Sequence, residues 1–181
     1  MSKKVLIISS SFRNRSNSDK LADAFAEGVK KAGHLVEKIN LKDMDWNFCK
    51  GCLACYKTKT GHCVQKDDVD EVIQKVREAD VLCFASPLYY YNLCGQLKAF
   101  LDRVNPLLVL ENKPWDLYLL MTAQENEEHT FDRAMTTLEG WSYCFPNSKI
   151  AGHLYAGDIY EVGDVDNSKC IGEARKMGAG V

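Results

Sequence analysis

Four cysteines lie within fifteen residues of this sequence, in the pattern Cys49-x2-Cys52-x2-Cys55-x7-Cys63. Thiolates at such close spacing ligate iron–sulfur clusters and zinc ions. The pattern therefore supplies the ligands of a [4Fe-4S] cluster or, as a second metal, of tetrahedral zinc, although we favour an explanation without metal. Packing of the thiols and reversible disulfide chemistry remain open as explanations without metal.

A second group of reactive side chains is the polar stretch at residues 9–18, of sequence SSSFRNRSNS. It joins a short apolar run at residues 5–9 to a predicted helix that begins at Asn17. Hydroxyls, arginines and helix N-terminal N–H groups bind phosphate through charge-assisted hydrogen bonds and the helix dipole. An N-cap followed by a solvated turn is the alternative. No G-x-x-x-x-G-K-[ST] or G-x-G-x-x-G follows the strand, which argues against a P-loop and the usual dinucleotide fold.

A third group is the aromatic loop at residues 86–95, of sequence SPLYYYNLCG. Three consecutive tyrosines alternate faces in an extended path, so some of them face solvent unless a ligand or partner covers them. Aromatic and amide groups after a strand suit a planar heteroaromatic ring. A subunit interface rich in tyrosine is the alternative, and both readings can hold together.

Alternating strand and helix patterns must position these groups. Apolar runs predict five strands, at residues 5–9, 35–41, 80–86, 117–122 and 149–155. Helical periodicity predicts helices at residues 17–33, after Asp67-Asp68, at 95–104 and 128–141, and from about residue 168. This alternation predicts one α/β domain over residues 1–181, with a five-stranded parallel sheet and helices on both faces. Residues 42–66 have no clear periodicity and form a cysteine-rich insertion.

The composition narrows the classes of function. Among 181 residues, 23 basic and 25 acidic side chains give a net charge of −2, which argues against a nucleic-acid-binding protein. No apolar run reaches the length of a secretory signal or a membrane span. We therefore expect a cytoplasmic protein without membrane contact, in which the eight cysteines are reduced.

Residues 9–18, followed by Ser86-Pro-Leu-Tyr and then by Gly95-Gln-Leu-Lys-Ala-Phe-Leu-Asp-Arg103, resemble the NAD(P)H-dependent FMN reductase family of flavodoxin-like proteins. The resemblance covers roughly the first two-thirds of the chain. The family's first loop usually reads Gly-Ser-Pro-Arg, whereas Ser10 and Phe12 replace the glycine and proline here. The cysteine pattern is similar to the compact motif of iron–sulfur flavoproteins, which carry a four-iron cluster beside FMN.

The resemblance implies two sets of cofactor contacts, because ligands of such sheets bind at the carboxyl ends of the strands. The FMN phosphate would be held by the first loop, at Ser9, Ser11, Arg13, Ser16, Asn17 and Ser18. The isoalloxazine and ribityl chain would be bordered by Pro87, Leu88, Tyr89, Tyr90, Tyr91, Asn92, Thr122 and Ala123. We name no acid–base residue, since the flavin itself carries the redox chemistry.

The expected activity is therefore hydride transfer from NAD(P)H to FMN and on to a small-molecule acceptor, such as free flavin, a quinone, an azo or a nitro compound. One alternative is an iron–sulfur flavoprotein with a [4Fe-4S] cluster at Cys49, Cys52, Cys55 and Cys63. Another is a flavodoxin-type electron carrier without NAD(P)H activity, although such carriers usually have a large acidic excess. We expect a homodimer or homotetramer whose neighbouring subunits complete the flavin sites.

Overall fold

A computed structural model describes residues 1–181, in which helices pack against a mostly parallel sheet. Its five parallel strands are β1 (Lys4–Ser9), β2 (Leu35–Asn40), β3 (Val81–Tyr89), β5 (Asp116–Thr122) and β6 (Lys149–Ala156). A two-residue strand, β4 (Asn92–Leu93), pairs antiparallel with the end of β3. The strand order is β2-β1-β3-β5-β6, with the reversal between β1 and β3. This order confirms the expected flavodoxin-like sheet.

Six α-helices surround the sheet, and they have the following bounds. They are α1 (Asn17–Lys31), α2 (Ala54–Thr58), α3 (Val69–Glu78), α4 (Gly95–Arg103), α5 (Asp132–Ser142) and α6 (Cys170–Ala179). The apolar faces of α1 and α6 bury one side of the sheet, with Phe25 and Ala174 fully enclosed. The faces of α3, α4 and α5 bury the other side, around Ile73, Phe100 and Leu138. Helices therefore cover both faces, as the alternating pattern predicted.

Helices α1 and α6 are in close contact through two glycines. A Cβ atom at Gly28 would lie 2.0 Å from the carbonyl oxygen of Arg175, and one at Gly178 would lie 2.1 Å from that of Phe25. Only glycine permits the two backbones to approach this closely. This contact packs the C-terminal halves of α1 and α6 directly against each other.

The structure adds elements that periodicity did not reveal. The insertion at residues 42–66 contains the short helix α2 and begins with a 3-10 turn at Leu41–Asp43. The strand predicted at residues 80–86 continues to Tyr89 and turns back into β4. Helix α5 begins at Asp132, four residues later than predicted, because residues 128–131 form turns. No helix has the length and apolar character required to cross a membrane.

Candidate functional site

The first loop, residues 9–18, lies at the carboxyl end of β1 and leads directly into α1. Ser16 is the N-cap of α1, and its Oγ accepts the Asp19 backbone N–H at 3.2 Å. The Oγ atoms of Ser16 and Ser18 lie 3.5 Å apart, and Ser11 Oγ accepts the Arg13 N–H at 3.3 Å. The three serine side chains are buried and line a common cleft. We call this segment the phosphate loop.

Donors without partners show what the phosphate loop can hold. The backbone N–H groups of Asn17 and Ser18 have no acceptor within the chain, although both residues are more than nine-tenths buried. Unpaired N–H groups at a helix N-terminus are a site for an anion, and the Arg13 side chain adds a positive charge at the cleft. The residues present therefore fit a phosphate group.

The cleft has a volume of about 260 Å³ and is formed by four segments that converge from different strands. Ten of the predicted flavin contacts line it, namely Ser11, Arg13, Ser16, Asn17, Ser18, Pro87, Leu88, Tyr89, Thr122 and Ala123. Loops after β1, β3 and β5 thus meet at one edge of the sheet. The other lining residues were not predicted as contacts, and they are Gln124, Ile159, Tyr160 and Val162.

The unpredicted wall comes from the segment after β6. Ile159 is buried in the core beneath α1 and α6, whereas Tyr160 and Val162 are exposed beside the cleft. Sequence reasoning placed no site residue here because the segment has neither a motif nor a run of polar groups. The one usable signal is its position, since it follows the carboxyl end of a parallel strand.

The side chain of Asn17 makes hydrogen bonds within the chain, whereas the resemblance implied that it contacts the cofactor. Its Nδ2 donates to the Glu161 carbonyl at 2.7 Å, and its Oδ1 accepts the Gly163 N–H at 2.9 Å. Oδ1 also accepts the Val165 N–H at 3.4 Å. The amide group is therefore engaged by the segment after β6, and only its backbone N–H remains for a ligand.

The tyrosines lie on a strained hairpin between β3 and β4. Tyr90 and Tyr91 have φ values of 52° and 63°, so both central residues of this two-residue turn are left-handed. Such turns normally contain Asn-Gly, and bulky residues in this conformation mark functional sites more often than stable scaffolding. Tyr90 is 99% exposed.

A second chamber of about 380 Å³ adjoins the cleft and is bordered by this hairpin. Tyr90 and Tyr91 line the chamber, and Tyr89 lines both spaces. Asn92 lines neither, because its Oδ1 accepts from the Leu93 N–H and the Thr137 hydroxyl. Ser9 is buried at the end of β1 and also lies outside the cleft lining.

The start of α4 connects the aromatic loop to the phosphate loop. Cys94 is buried, and its Sγ donates to Ser10 Oγ at 3.2 Å. Ser10 Oγ in turn donates to the Ala85 carbonyl, and Ser86 Oγ accepts the Cys94 N–H at 3.1 Å. This hydrogen-bonded junction holds the two cleft-forming loops at a fixed separation.

The four clustered cysteines line a separate cavity of about 30 Å³. Cys49 and Cys52 are exposed, Cys55 and Cys63 are half-buried, and all four are free thiols. Burial raises the pKa of the Cys55 thiol, and the nearby Cys63 and Cys52 raise it further. We call residues 46–66 the cysteine loop.

Two carboxylates fix the ends of the cysteine loop. The Asp67 carboxylate accepts hydrogen bonds from both Nη atoms of Arg103, at 2.7 and 2.8 Å. The Arg103 side chain is 1% exposed. This guanidinium holds the pKa of Asp67 below its usual range. Asp70 Oδ1 accepts the Cys63 N–H at 2.6 Å. Asp68 is the N-cap residue of α3, although its side chain makes no capping hydrogen bond, and the Asp67 carboxylate pairs with Arg103.

The four thiols lie close together but form no closed metal site in this structure. No three acidic, histidine or cysteine side chains converge on one point that could hold a single ion. The thiols line a shared cavity with Arg103 in its wall, and four thiolates are the donor set of a [4Fe-4S] cluster and of a tetrahedral zinc ion. In number and type, the donors therefore fit either group.

A flavodoxin-like sheet with an anion-binding helix start and an adjoining aromatic loop defines a flavin-binding domain. A family model described as NADPH-dependent FMN reductase matches residues 3–130. The chain belongs to this family. The matched residues include the phosphate loop, the cysteine loop and the tyrosine hairpin, whereas the segment after β6 lies beyond them.

Individual relatives agree with this assignment. The chain is 39% identical over 94 residues to an iron–sulfur flavoprotein of Archaeoglobus fulgidus, covering 52% of this chain and 42% of that protein. It is 37% identical over 113 residues to an iron–sulfur flavoprotein of Methanocaldococcus jannaschii, covering 61% and 58% respectively. The chain thus spans about half the length of these curated relatives.

Among solved structures, an NAD(P)H:quinone oxidoreductase from Methanothermobacter marburgensis has the same fold. The TM-score is 0.73 at 20% identity, covering 99% of this chain and 96% of that chain. This likeness extends over the whole length and therefore includes the strands beyond residue 130.

Proposed function

We propose that this protein binds FMN in the cleft and catalyses hydride transfer from NAD(P)H to the flavin, which then reduces a small-molecule acceptor. The observation that carries the proposal is the pair of buried, unpartnered N–H groups of Asn17 and Ser18 at a cleft lined by Ser11, Arg13 and Tyr89. An anionic end and an aromatic wall in one cleft suit a phosphorylated planar cofactor.

The chain's own groups bind and orient the cofactor. Ser11, Ser18 and the first-turn N–H groups of α1 would donate to the phosphate, and Arg13 would neutralise part of its charge. Pro87, Leu88 and Tyr89 would border the ring, opposite Thr122 and Ala123. FMN, when bound, supplies the hydride-accepting chemistry. The protein's contribution is position, electrostatics and exclusion of water.

The chamber beside the cleft is the proposed position of the nicotinamide and of the acceptor. Its tyrosine walls suit flat aromatic molecules, which supports free flavin, quinones, azo compounds and nitroaromatics as acceptors.

The 99% exposure of Tyr90 supports a homodimer or homotetramer in which a neighbouring subunit covers the hairpin. Light scattering of the FMN-loaded protein tests this assembly, and a monomer contradicts it. We propose a cytoplasmic location.

Anaerobic stopped-flow mixing tests the activity. FMN-loaded protein is mixed separately with NADH and with NADPH, and the flavin absorbance is followed. Bleaching by at least one nucleotide at a saturable rate is the expected result. If dithionite bleaches the flavin but neither nucleotide does, the reductase proposal fails and a flavodoxin-type electron carrier takes its place.

A second candidate is an iron–sulfur flavoprotein, favoured by the four thiols around one cavity. Cys49, Cys52, Cys55 and Cys63 would hold a [4Fe-4S] cluster, which would supply single-electron transfer beside the flavin. The relatives from Archaeoglobus and Methanocaldococcus are named as iron–sulfur flavoproteins, which supports this candidate. Iron and sulfide analysis of protein purified without oxygen decides it. About four irons per chain support the cluster, and iron-free protein with FMN bound removes it.

A further inference from the structure

The segment after β6, residues 158–166, crosses from the carboxyl end of the sheet to the start of α1. At its base, the Ile159 N–H donates to the Ala123 carbonyl at 2.9 Å and the Asp158 N–H donates to that of Gln124 at 3.2 Å. Between base and tip it presents Tyr160 and Val162 to the cleft. We call this segment the strap.

At its tip the strap is held from outside by the Asn17 amide and by an ion pair between Lys20 and Asp166. Asn17 makes all three of its amide hydrogen bonds there, to the Glu161 carbonyl and to the Gly163 and Val165 N–H groups. Asn17 is only 6% exposed, so water does not readily replace these bonds. The other link near the cleft is weaker, since Arg13 Nη1 donates to the Tyr160 carbonyl at 3.3 Å.

The strap also has an internal turn of its own. Asp164 Oδ2 accepts the Tyr160 and Glu161 N–H groups, at 2.9 and 2.6 Å, which closes a tight loop around Gly163. Gly163 has a φ of 107°, a conformation that side chains rarely adopt. Loss of the Asn17 hydrogen bonds would therefore release the strap while its internal turn stays folded.

We propose that Asn17 is a positioning residue that latches the strap over the bound cofactor, so that the Asn17 side chain controls how fast FMN leaves the cleft. This inference rests on the proposed FMN site, and it joins Asn17, which lies within the family match, to a strap that lies beyond it. The phosphate loop and the strap form facing walls of one cleft, and Asn17 joins the two. A cofactor seated between them is retained while the latch is closed.

The latch is tested first without flavin, by amide hydrogen exchange in the parent and in Asn17→Ala. Three lost hydrogen bonds are expected to speed exchange of the Gly163 and Val165 amides at least ~10-fold, with Ile159 at the base unchanged. Asn17→Asp keeps an acceptor for both amides and is expected to restore their protection. Asn14→Ala, whose amide contacts only Lys42 Nζ, is the control in the same loop and is expected to change nothing.

The second measurement is the dissociation rate of FMN from the same proteins. Asn17→Ala is expected to release FMN at least ~10-fold faster, in proportion to the faster exchange of the strap amides. Unchanged exchange in Asn17→Ala overturns the latch. Faster exchange with an FMN dissociation rate within ~2-fold of the parent overturns the cofactor role. A parent that binds no FMN removes the proposed function itself, whereas the exchange measurement still reports on the latch.

Discussion

The phosphate loop and the cysteine loop differ in how much of their structure the hydrophobic core supports. The phosphate loop continues a central strand, its serines are buried, and Cys94 joins it to the next loop through Ser10. The cysteine loop has exposed cysteines in its middle and is fixed at its end by Asp67 and Asp70. The hydrophobic core thus preorganises the phosphate loop, whereas polar clamps hold the cysteine loop in place.

One helix touches both regions. The residue before α4, Cys94, contacts the phosphate loop, and its last residue, Arg103, clamps the cysteine loop. At 1.5 Å per residue the nine residues of α4 span about 13 Å. We therefore expect that a substitution at one end of α4 impairs the adjacent site and leaves the other site functional.

The largest expected effect is on metal content. For the iron–sulfur candidate, Cys52→Ser removes one of the four thiolates and is expected to abolish cluster binding, while one FMN per chain remains bound. Iron analysis and flavin absorbance of anaerobically purified protein measure both. Cys144→Ser, an exposed cysteine outside the cavity, is the matched control and is expected to change neither. Loss of FMN in Cys52→Ser would show that the two sites are not independent.

Arg103→Met is expected to lower the free energy of unfolding by about 3–5 kcal/mol, because it leaves the Asp67 carboxylate buried without its partner. Urea denaturation measures the change. Lys98→Met breaks the exposed pair with Asp102 on the same helix and is expected to cost about 0.5 kcal/mol or less. Arg103→Lys keeps the charge without the paired hydrogen bonds and should fall between them. Equal losses in the free energy of unfolding for Arg103→Met and Lys98→Met would contradict a stabilising role of the buried Arg103–Asp67 pair.

Arg13→Ala is expected to weaken FMN binding about 10- to 100-fold, the value of one charge-assisted hydrogen bond, while riboflavin binding is unchanged. Equilibrium titration by flavin fluorescence measures both ligands. Arg15→Ala removes the same charge two residues away, outside the cleft lining, and is expected to weaken FMN less than ~3-fold. An equal loss for riboflavin in Arg13→Ala would remove the phosphate assignment.

The smallest effect concerns backbone strain in the cysteine loop. Lys59 ends α2 with a φ of 52°, a left-handed position that favours glycine. Lys59→Gly is expected to stabilise the protein by about 0.5–1 kcal/mol, measured by thermal or urea unfolding. Lys57→Gly, inside the same helix, is the control and is expected to destabilise by about 1 kcal/mol. The same sign for both would show that the strain at Lys59 is negligible.

The sequence predicted the sheet and the loops that meet at its edge, because strand runs and helix periodicity are local signals. Buried five-residue runs such as residues 5–9 and the apolar stripe around Phe25 determine where elements form. The phosphate loop followed from residue types directly after a strand. These patterns placed the loops, and the family resemblance then implied ten of the residues that line the cleft.

The remainder depended on contacts between distant segments, which local patterns do not contain. Arg103 resembled an ordinary last-turn cation, yet it is buried against Asp67, 36 residues earlier. The strap reaches the cleft through Asn17, more than 140 residues earlier in the chain. The two-residue β4 was missed because the turn at Tyr90 and Tyr91 lacks the glycine or asparagine that normally marks a hairpin.

A paired titration of flavin-free protein with FMN and riboflavin tests whether the phosphate loop holds the phosphate of a flavin cofactor. We expect one FMN per chain, bound at least ~100-fold more tightly than riboflavin, because several donors converge on the phosphate. Equal affinities for the two flavins, or no binding of FMN, would contradict it.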